Sequence, residues 1–168
     1  MLKPVVHLLL SFSLAALPGA GSLGLERTGD VLQIALPAGA GLAAIALRDW
    51  AGVAQLAALM VTSQGATHLL KHTVKSQRPD GGKNGFPSAH TSSAFAGAGF
   101  VAMRYGTRYA WPLHVAAALT GYSRMTARKH GLLDVLGGAA LSLLCSWALV
   151  RRRAAAPVPE LPPENRAS

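Results

Sequence analysis

The sequence predicts an all-α fold, a compact transmembrane bundle of about five to six helices with its functional site at one membrane face, on three observations. Of 168 residues, 51% are hydrophobic and only 14% charged, where a soluble domain carries about 25% charged residues. Mean hydropathy is +0.31. Long apolar runs recur along the chain, separated by short connections rich in Gly, Pro and Arg.

Taken in order, the runs define the elements. Lys3 precedes the apolar stretch Val5 to Leu17 and the small residues Pro18-Gly19-Ala20-Gly21-Ser22. Residues 1–22 therefore read as a cleaved signal peptide or as a first membrane helix left in place. Leu23 to Asp30 is polar and reads as a turn. Val31 to Leu47 follows, closed by Arg48-Asp49, and then Ala51 to Leu70, closed by Lys71. Ser76 to Pro87 is a loop whose centre, Gly81-Gly82-Lys83-Asn84-Gly85, suits no regular element. Ser88 to Met103, Ala110 to Tyr122 and Leu132 to Val150 complete a bundle over residues 23–153.

No run exceeds the ~20 residues that an upright span needs and most fall short of it, so some helices are expected to extend past their apolar boundaries. The small residues Ala94-Phe95-Ala96-Gly97-Ala98-Gly99 predict close approach of neighbouring backbones. After Arg151-Arg152-Arg153 the chain turns rich in Pro, Ala and Glu, and residues 154–168 are expected to form a disordered tail.

A net charge of +9 would in a soluble protein raise nucleic-acid binding. Here the basic residues sit between apolar runs, so no nucleic-acid partner is expected. An anionic substrate, or anionic lipid headgroups, accounts for the same charge. The single Cys145 cannot form an intramolecular disulfide and reads as a core or lipid-facing residue.

Alternating helix directions bring Lys71, Ser88, Ser123 and His130 to one face, and Arg48, Arg104, Arg108 and Arg151 to Arg153 to the other. The Arg triplet and Lys3 suit the cytoplasm. That places the polar motifs outside, in the periplasm of a bacterial inner membrane.

Which residues could do chemistry? Pro87-Ser88 ahead of an apolar run is a helix start, whose free backbone N–H groups suit an anion. Lys71 and Arg78, with Lys75 between them, offer a point charge and a planar fork for phosphate oxygens; taken alone they read equally as membrane anchors. His90 can exchange protons near neutral pH, or simply cap a helix. His130 and Asp134 are four apart, so on a helix they share a face and the carboxylate can orient the imidazole; a structural contact would look the same. His68 and His72 share that spacing, but two imidazoles with no further ligand nearby do not make a metal site. Neither a metal nor any other cofactor is expected. No P-loop, G-x-S-x-G elbow, zinc or calcium pattern is present.

In order along the chain, Lys71, six residues, Arg78-Pro79, then Pro87-Ser88-Ala89-His90, then Ser123-Arg124, five residues, His130, three residues and Asp134 resemble a three-part signature. It is that of the type-2 phosphatidic acid phosphatase superfamily, which includes bacterial acid phosphatases, glucose-6-phosphatase and vanadium haloperoxidases. The resemblance implies a metal-independent, two-step hydrolysis. His130 would attack phosphorus and become a phosphohistidine, with Asp134 orienting it. His90 would protonate the leaving oxygen and then activate water. Lys71, Arg78 and Arg124 would hold the phosphoryl oxygens, helped by Ser88, Ser123 and the amides at Ala89. Ala89 stands where the family usually has Gly, so the turn must suit a β-carbon. The implied substrate is a phosphorylated or pyrophosphorylated lipid: phosphatidic acid, phosphatidylglycerol phosphate, a polyprenyl pyrophosphate or a lipid A phosphate. Two alternatives stay open, a phosphotransferase using the same intermediate and a non-catalytic membrane protein that binds phosphate.

Overall fold

The computed structural model describes residues 22–153; all but the last residue of the segment expected as signal peptide or first helix, and the Pro-rich tail, lie outside the described residues. Five helices follow one another: α1 (Ser22–Ala46), α2 (Trp50–Val74), α3 (Ala89–Tyr105), α4 (Thr107–Thr126) and α5 (Leu132–Leu149). Among the described residues there is no strand. The fold is the all-α bundle that composition predicts.

The helices do outrun their apolar stretches. α2 has 25 residues, about 37 Å at 1.5 Å per residue. α1 corrects an expectation outright, because Leu23 to Asp30 is its first part and not a turn. The stretch lacks an apolar period because its partners are polar. Thr28 is buried and donates to Gly24 O (2.8 Å), while Gly29 lies against Ser123 and Arg124 of α4.

α3 packs against all four other helices, and the small residues expected to allow this are buried in it. Pro37, inside α1, has no N–H to give to Gln33 O one turn back. Ser93 Oγ of α3 donates to that carbonyl instead (2.7 Å). One turn further along α3, a β-carbon at Gly97 would come within 2.6 Å of Pro37 N. Glycine at 97 is what lets the two backbones meet.

The interior combines a core of small and apolar side chains around Leu59, Phe100 and Leu113 with buried hydroxyls, and the outside is apolar. Ser63, Thr67, Ser92, Ser142 and Ser146 are fully buried. Thr67 Oγ1 donates to Ser92 Oγ (2.9 Å), Ser142 Oγ to Ser92 O (2.7 Å) and Ser146 Oγ to Ser142 O (2.8 Å). Ile34, Val61, Leu133 and Trp147 face outward, Leu133 being 76% exposed. Such a belt is an aggregation liability in water; in lipid it is solvated, and buried small and hydroxyl side chains supply the helix packing. Gly24–Ala46 of α1 and Leu132–Leu149 of α5 are long and apolar enough to cross a membrane. The chain is membrane-associated.

One end of the bundle is stapled by Asp49. Its Oδ1 accepts from Gly52 N–H (3.0 Å) and so caps α2. Its two oxygens also accept the fork of Arg104, with Nε at 2.8 Å from Oδ2, and the Tyr105 hydroxyl donates to Oδ2 (2.9 Å). Arg104 Nη1 donates to Arg151 O (2.8 Å), and Arg153 N–H returns to Arg104 O (2.9 Å). The Arg104 guanidinium holds the Asp49 carboxyl down at about 2, below its ordinary 3.8. A depressed carboxylate stabilises the fold fully above its unfolded value and loses that effect only as pH falls from about 4 toward 2. Asp49→Asn leaves a buried guanidinium without its counter-charge, an effect of about 3 kcal/mol. Thermal unfolding in detergent at pH 7 is expected to show a clearly lowered midpoint; an unchanged midpoint contradicts the staple.

Candidate active site

At the opposite end every helix contributes one terminus. Asp134, the third residue of α5, holds two of these termini in register. Its backbone oxygen accepts from Ser88 N–H (2.9 Å) and its Oδ2 from Gly131 N–H (2.9 Å). Ser88 caps α3, its Oγ accepting from Thr91 N–H at 3.4 Å and from Thr91 Oγ1 at 3.0 Å. The loop ahead of it folds back on Ser76, whose O accepts from Gly85 N–H (2.9 Å) and whose Oγ accepts from Phe86 N–H (2.6 Å).

These termini enclose a cleft of about 340 Å³. Lys71, Arg78, Ala89, His90, Arg124 and His130, all expected from the sequence, line it. Glu26, Asp30 and Lys129 complete the lining. Four cations thus face two carboxylates, and the cleft favours an anion.

Lys71, at the end of α2, is buried; its Nζ donates to Asn84 O (2.9 Å) and lies 3.5 Å from Gly85 O. Arg78 is set by its own backbone, donating to Gly82 O (2.8 Å) and accepting from Gly81 N–H (3.0 Å). Among the described residues Arg78 Nε is a buried nitrogen with no hydrogen-bond partner. A buried donor of this kind is costly unless something accepts from it, and phosphoryl oxygens are suitable acceptors.

Arg124, at the end of α4, is 3% exposed, and each of its three side-chain nitrogens donates once to protein, which leaves two of its five N–H groups for a ligand in the cleft. Nη1 donates to Asp30 Oδ1 (2.9 Å), Nη2 to Glu26 O, and Nε to Ser123 Oγ (3.2 Å). Gly29 makes this approach possible, since a β-carbon there would run into the Ser123 side chain and the Arg124 guanidinium. His90 Nε2 lies 3.1 Å from the same Asp30 Oδ1.

His130 is buried, but it precedes the helix that sequence spacing places it on. Gly131 is extended (φ −81°, ψ 170°) and α5 begins at Leu132. The His130 and Asp134 side chains meet across this cap, with Nδ1 3.5 Å from Oδ2. That is ion-pair range rather than a formed hydrogen bond, and Nδ1 has no such partner among the described residues. Burial, together with the Lys71 and Arg78 charges, lowers the affinity of His130 for a proton, and Asp134 only partly opposes this. The imidazole is therefore neutral near pH 7.

Three residues expected from the sequence stand behind the cleft. Asp134 touches it only through His130. Ser88 and Ser123 are fully buried, because the first caps α3 and the second donates to Thr120 O (2.7 Å) while accepting from Arg124. The Ser123 hydroxyl thus donates within its own helix, while the Ser88 oxygen serves as an acceptor for Thr91. Ala89 is the first residue of α3 and has no positive φ, so its methyl is accommodated without backbone strain. Sequence reasoning missed Glu26, Asp30 and Lys129. Glu26 and Asp30 are four apart, the spacing of one helix face, a signal that reading the stretch as a turn hides. Lys129 pairs with Asp80 at the cleft mouth (3.2 Å).

Residues 80–156 match the PAP2 superfamily. The lipid A 4'-phosphatase of Helicobacter pylori is 36% identical over 134 residues, 73% of this chain and 67% of that protein. The chain belongs to the PAP2 superfamily. The lipid A 1-phosphatase of Porphyromonas gingivalis is 37% identical over 89 residues, 51% of this chain and 20% of that protein. The undecaprenyl-diphosphatase of Bacillus subtilis is 35% identical over 81 residues, 48% of this chain and 41% of that protein. No solved structure matches the chain. The PAP2 match begins after Lys71 and Arg78 and leaves out α1, so Glu26 and Asp30 fall outside it.

Proposed function

We propose that this PAP2 chain is a membrane phosphatase that hydrolyses a phosphomonoester or diphosphate on a lipid through a phosphohistidine at His130, without a metal ion. The observation that carries the reading is that His130 and His90 line one cleft with Lys71, Arg78 and Arg124. The names of the three relatives make lipid A phosphates and undecaprenyl diphosphate the substrates to try first.

In the first step His130 Nε2, the nitrogen turned away from Asp134, attacks phosphorus. The P–O bond breaks, its electron pair leaves on the lipid oxygen, and His90 gives that oxygen a proton. In the second step water attacks phosphorus and gives its proton to His90, the P–N bond breaks, and phosphate departs. Phosphoryl transfer asks mainly for positioning and for stabilisation of the equatorial oxygens. Lys71, Arg78, Arg124 and the first amides of α3 supply both. The nucleophile must be unprotonated, and the lowered proton affinity of His130 keeps it so below the 6.5 of free histidine.

Purified protein is expected to release phosphate from a lipid phosphate in excess EDTA, with the acid limb of kcat/KM lying below pH 6.5. His130→Ala is expected to lose at least about a thousandfold. Chelator-sensitive activity, or full activity in His130→Ala, contradicts the mechanism.

We further infer that the cleft faces the periplasm, because the exposed Arg151 to Arg153 at the other end of α5 suit the cytoplasmic side. With Cys145 replaced by Ala, a membrane-impermeant maleimide should label Lys83→Cys in intact spheroplasts and Arg152→Cys only after lysis. The reverse pattern overturns the orientation.

A further inference from the structure

The PAP2 match leaves α1 out, yet α1 puts a carboxylate into the cleft. We propose that Asp30 is the positioning residue of the proton donor, fixing His90 through Nε2 and tethering Arg124 through the same oxygen. This rests on the phosphatase reading above and adds to it a second carboxylate–imidazole couple, on the opposite partner of the reaction from His130 and Asp134.

Two contrasts separate this role from an ordinary ion pair. The Asp49 carboxylate at the far end of the bundle is 4% exposed and sealed among Arg104, Tyr105 and Gly52. The Asp30 side chain is 48% exposed and lines the cleft, so it is placed where substrate arrives. The second contrast is in charge. His90 shares the cleft with Lys71 from α2, Arg78 from the connecting loop, Arg124 from α4, and Lys129 and His130 from the turn before α5. Glu26 and Asp30, both from α1, are the two carboxylates lining it, and Asp30 is the one in contact with His90. Burial and then the Arg124 charge lower the hold of His90 on its proton. The carboxylate 3.1 Å away opposes them in part, and it is the group in the cleft placed to favour the protonated ring that a leaving group needs.

The geometry also assigns the nitrogens. With Nε2–H donating to Asp30 Oδ1, Nδ1 is left to exchange protons with substrate, and the carboxylate fixes that tautomer. In the first step the Nδ1 proton passes to the lipid oxygen as the P–O bond breaks and the electron pair leaves on that oxygen. His90 then stands neutral, still donating from Nε2 to Asp30. In the second step Nδ1 takes a proton from the attacking water as the P–N bond breaks. Asp30 takes part in no bond change and never touches phosphorus.

A leaving-group experiment on the full chain in detergent tests the role. Two lipid phosphates would be compared, one with an ordinary alkyl alcohol as leaving group and one with a nitrophenol, which departs without a proton. Asp30→Asn is expected to lower kcat/KM about a hundredfold on the alkyl substrate but less than about fivefold on the nitrophenyl one. Its basic limb should move to lower pH, since removing the carboxylate charge weakens the hold of His90 on its proton. Asp30→Glu should restore part of the alkyl activity. Equal losses on both substrates with an unmoved basic limb, in a variant that elutes and melts like the parent, overturn the role. Such a result leaves the phosphatase reading intact, because His130→Ala tests that separately and should abolish turnover of both substrates.

Discussion

Three helices are tied together at one oxygen atom. Asp30 Oδ1, on α1, accepts from Arg124 at the end of α4 and lies 3.1 Å from His90 at the start of α3. A guanidinium as buried as Arg124 must be paired or the fold suffers; its partners all come from α1 and from its own neighbour Ser123. The site therefore depends on how closely α1 can approach α4, which Gly29 allows. Along the same helix Pro37, Ser93 and Gly97 set how closely α1 meets α3.

The two ends of the bundle solve the same electrostatic problem differently. At the Asp49 end, charge and counter-charge are sealed together, and the Arg104 nitrogens and the Tyr105 hydroxyl each have an acceptor. At the cleft, cations outnumber carboxylates, and Arg78 Nε lies buried without a partner among the described residues. A site that must attract an anion leaves part of its hydrogen-bonding capacity unmet. The closed end and the buried hydroxyl ladder through Ser92 and Ser142 hold the frame in which this is tolerated.

Much of this was legible in the amino-acid order. Apolar runs gave the helices, and alternation of their directions brought Lys71, His90, Arg124 and His130 to one face. What sequence could not reveal was which way a polar side chain turns. Ser88 and Ser123 read as phosphate ligands, and both prove fully buried, Ser88 accepting from Thr91 and Ser123 donating to Thr120 O and accepting from Arg124. His130 and Asp134 read as helical neighbours but meet across an extended Gly131. The first part of α1 was misread because Glu26 to Asp30 has no apolar period; its helix is stabilised by tertiary polar contacts that no local pattern encodes.

The account turns on one covalent bond between phosphorus and a ring nitrogen of His130. Phosphorus NMR of enzyme mixed with a lipid phosphate, then denatured in alkali where phosphohistidine survives, tests it most directly. A phosphoramidate signal that disappears in His130→Ala, and accumulates when the second step is slowed in His90→Ala supplied with the nitrophenyl substrate, is the predicted result. Turnover with no nitrogen-bound phosphorus under any of these conditions, or with the signal retained in His130→Ala, would contradict it.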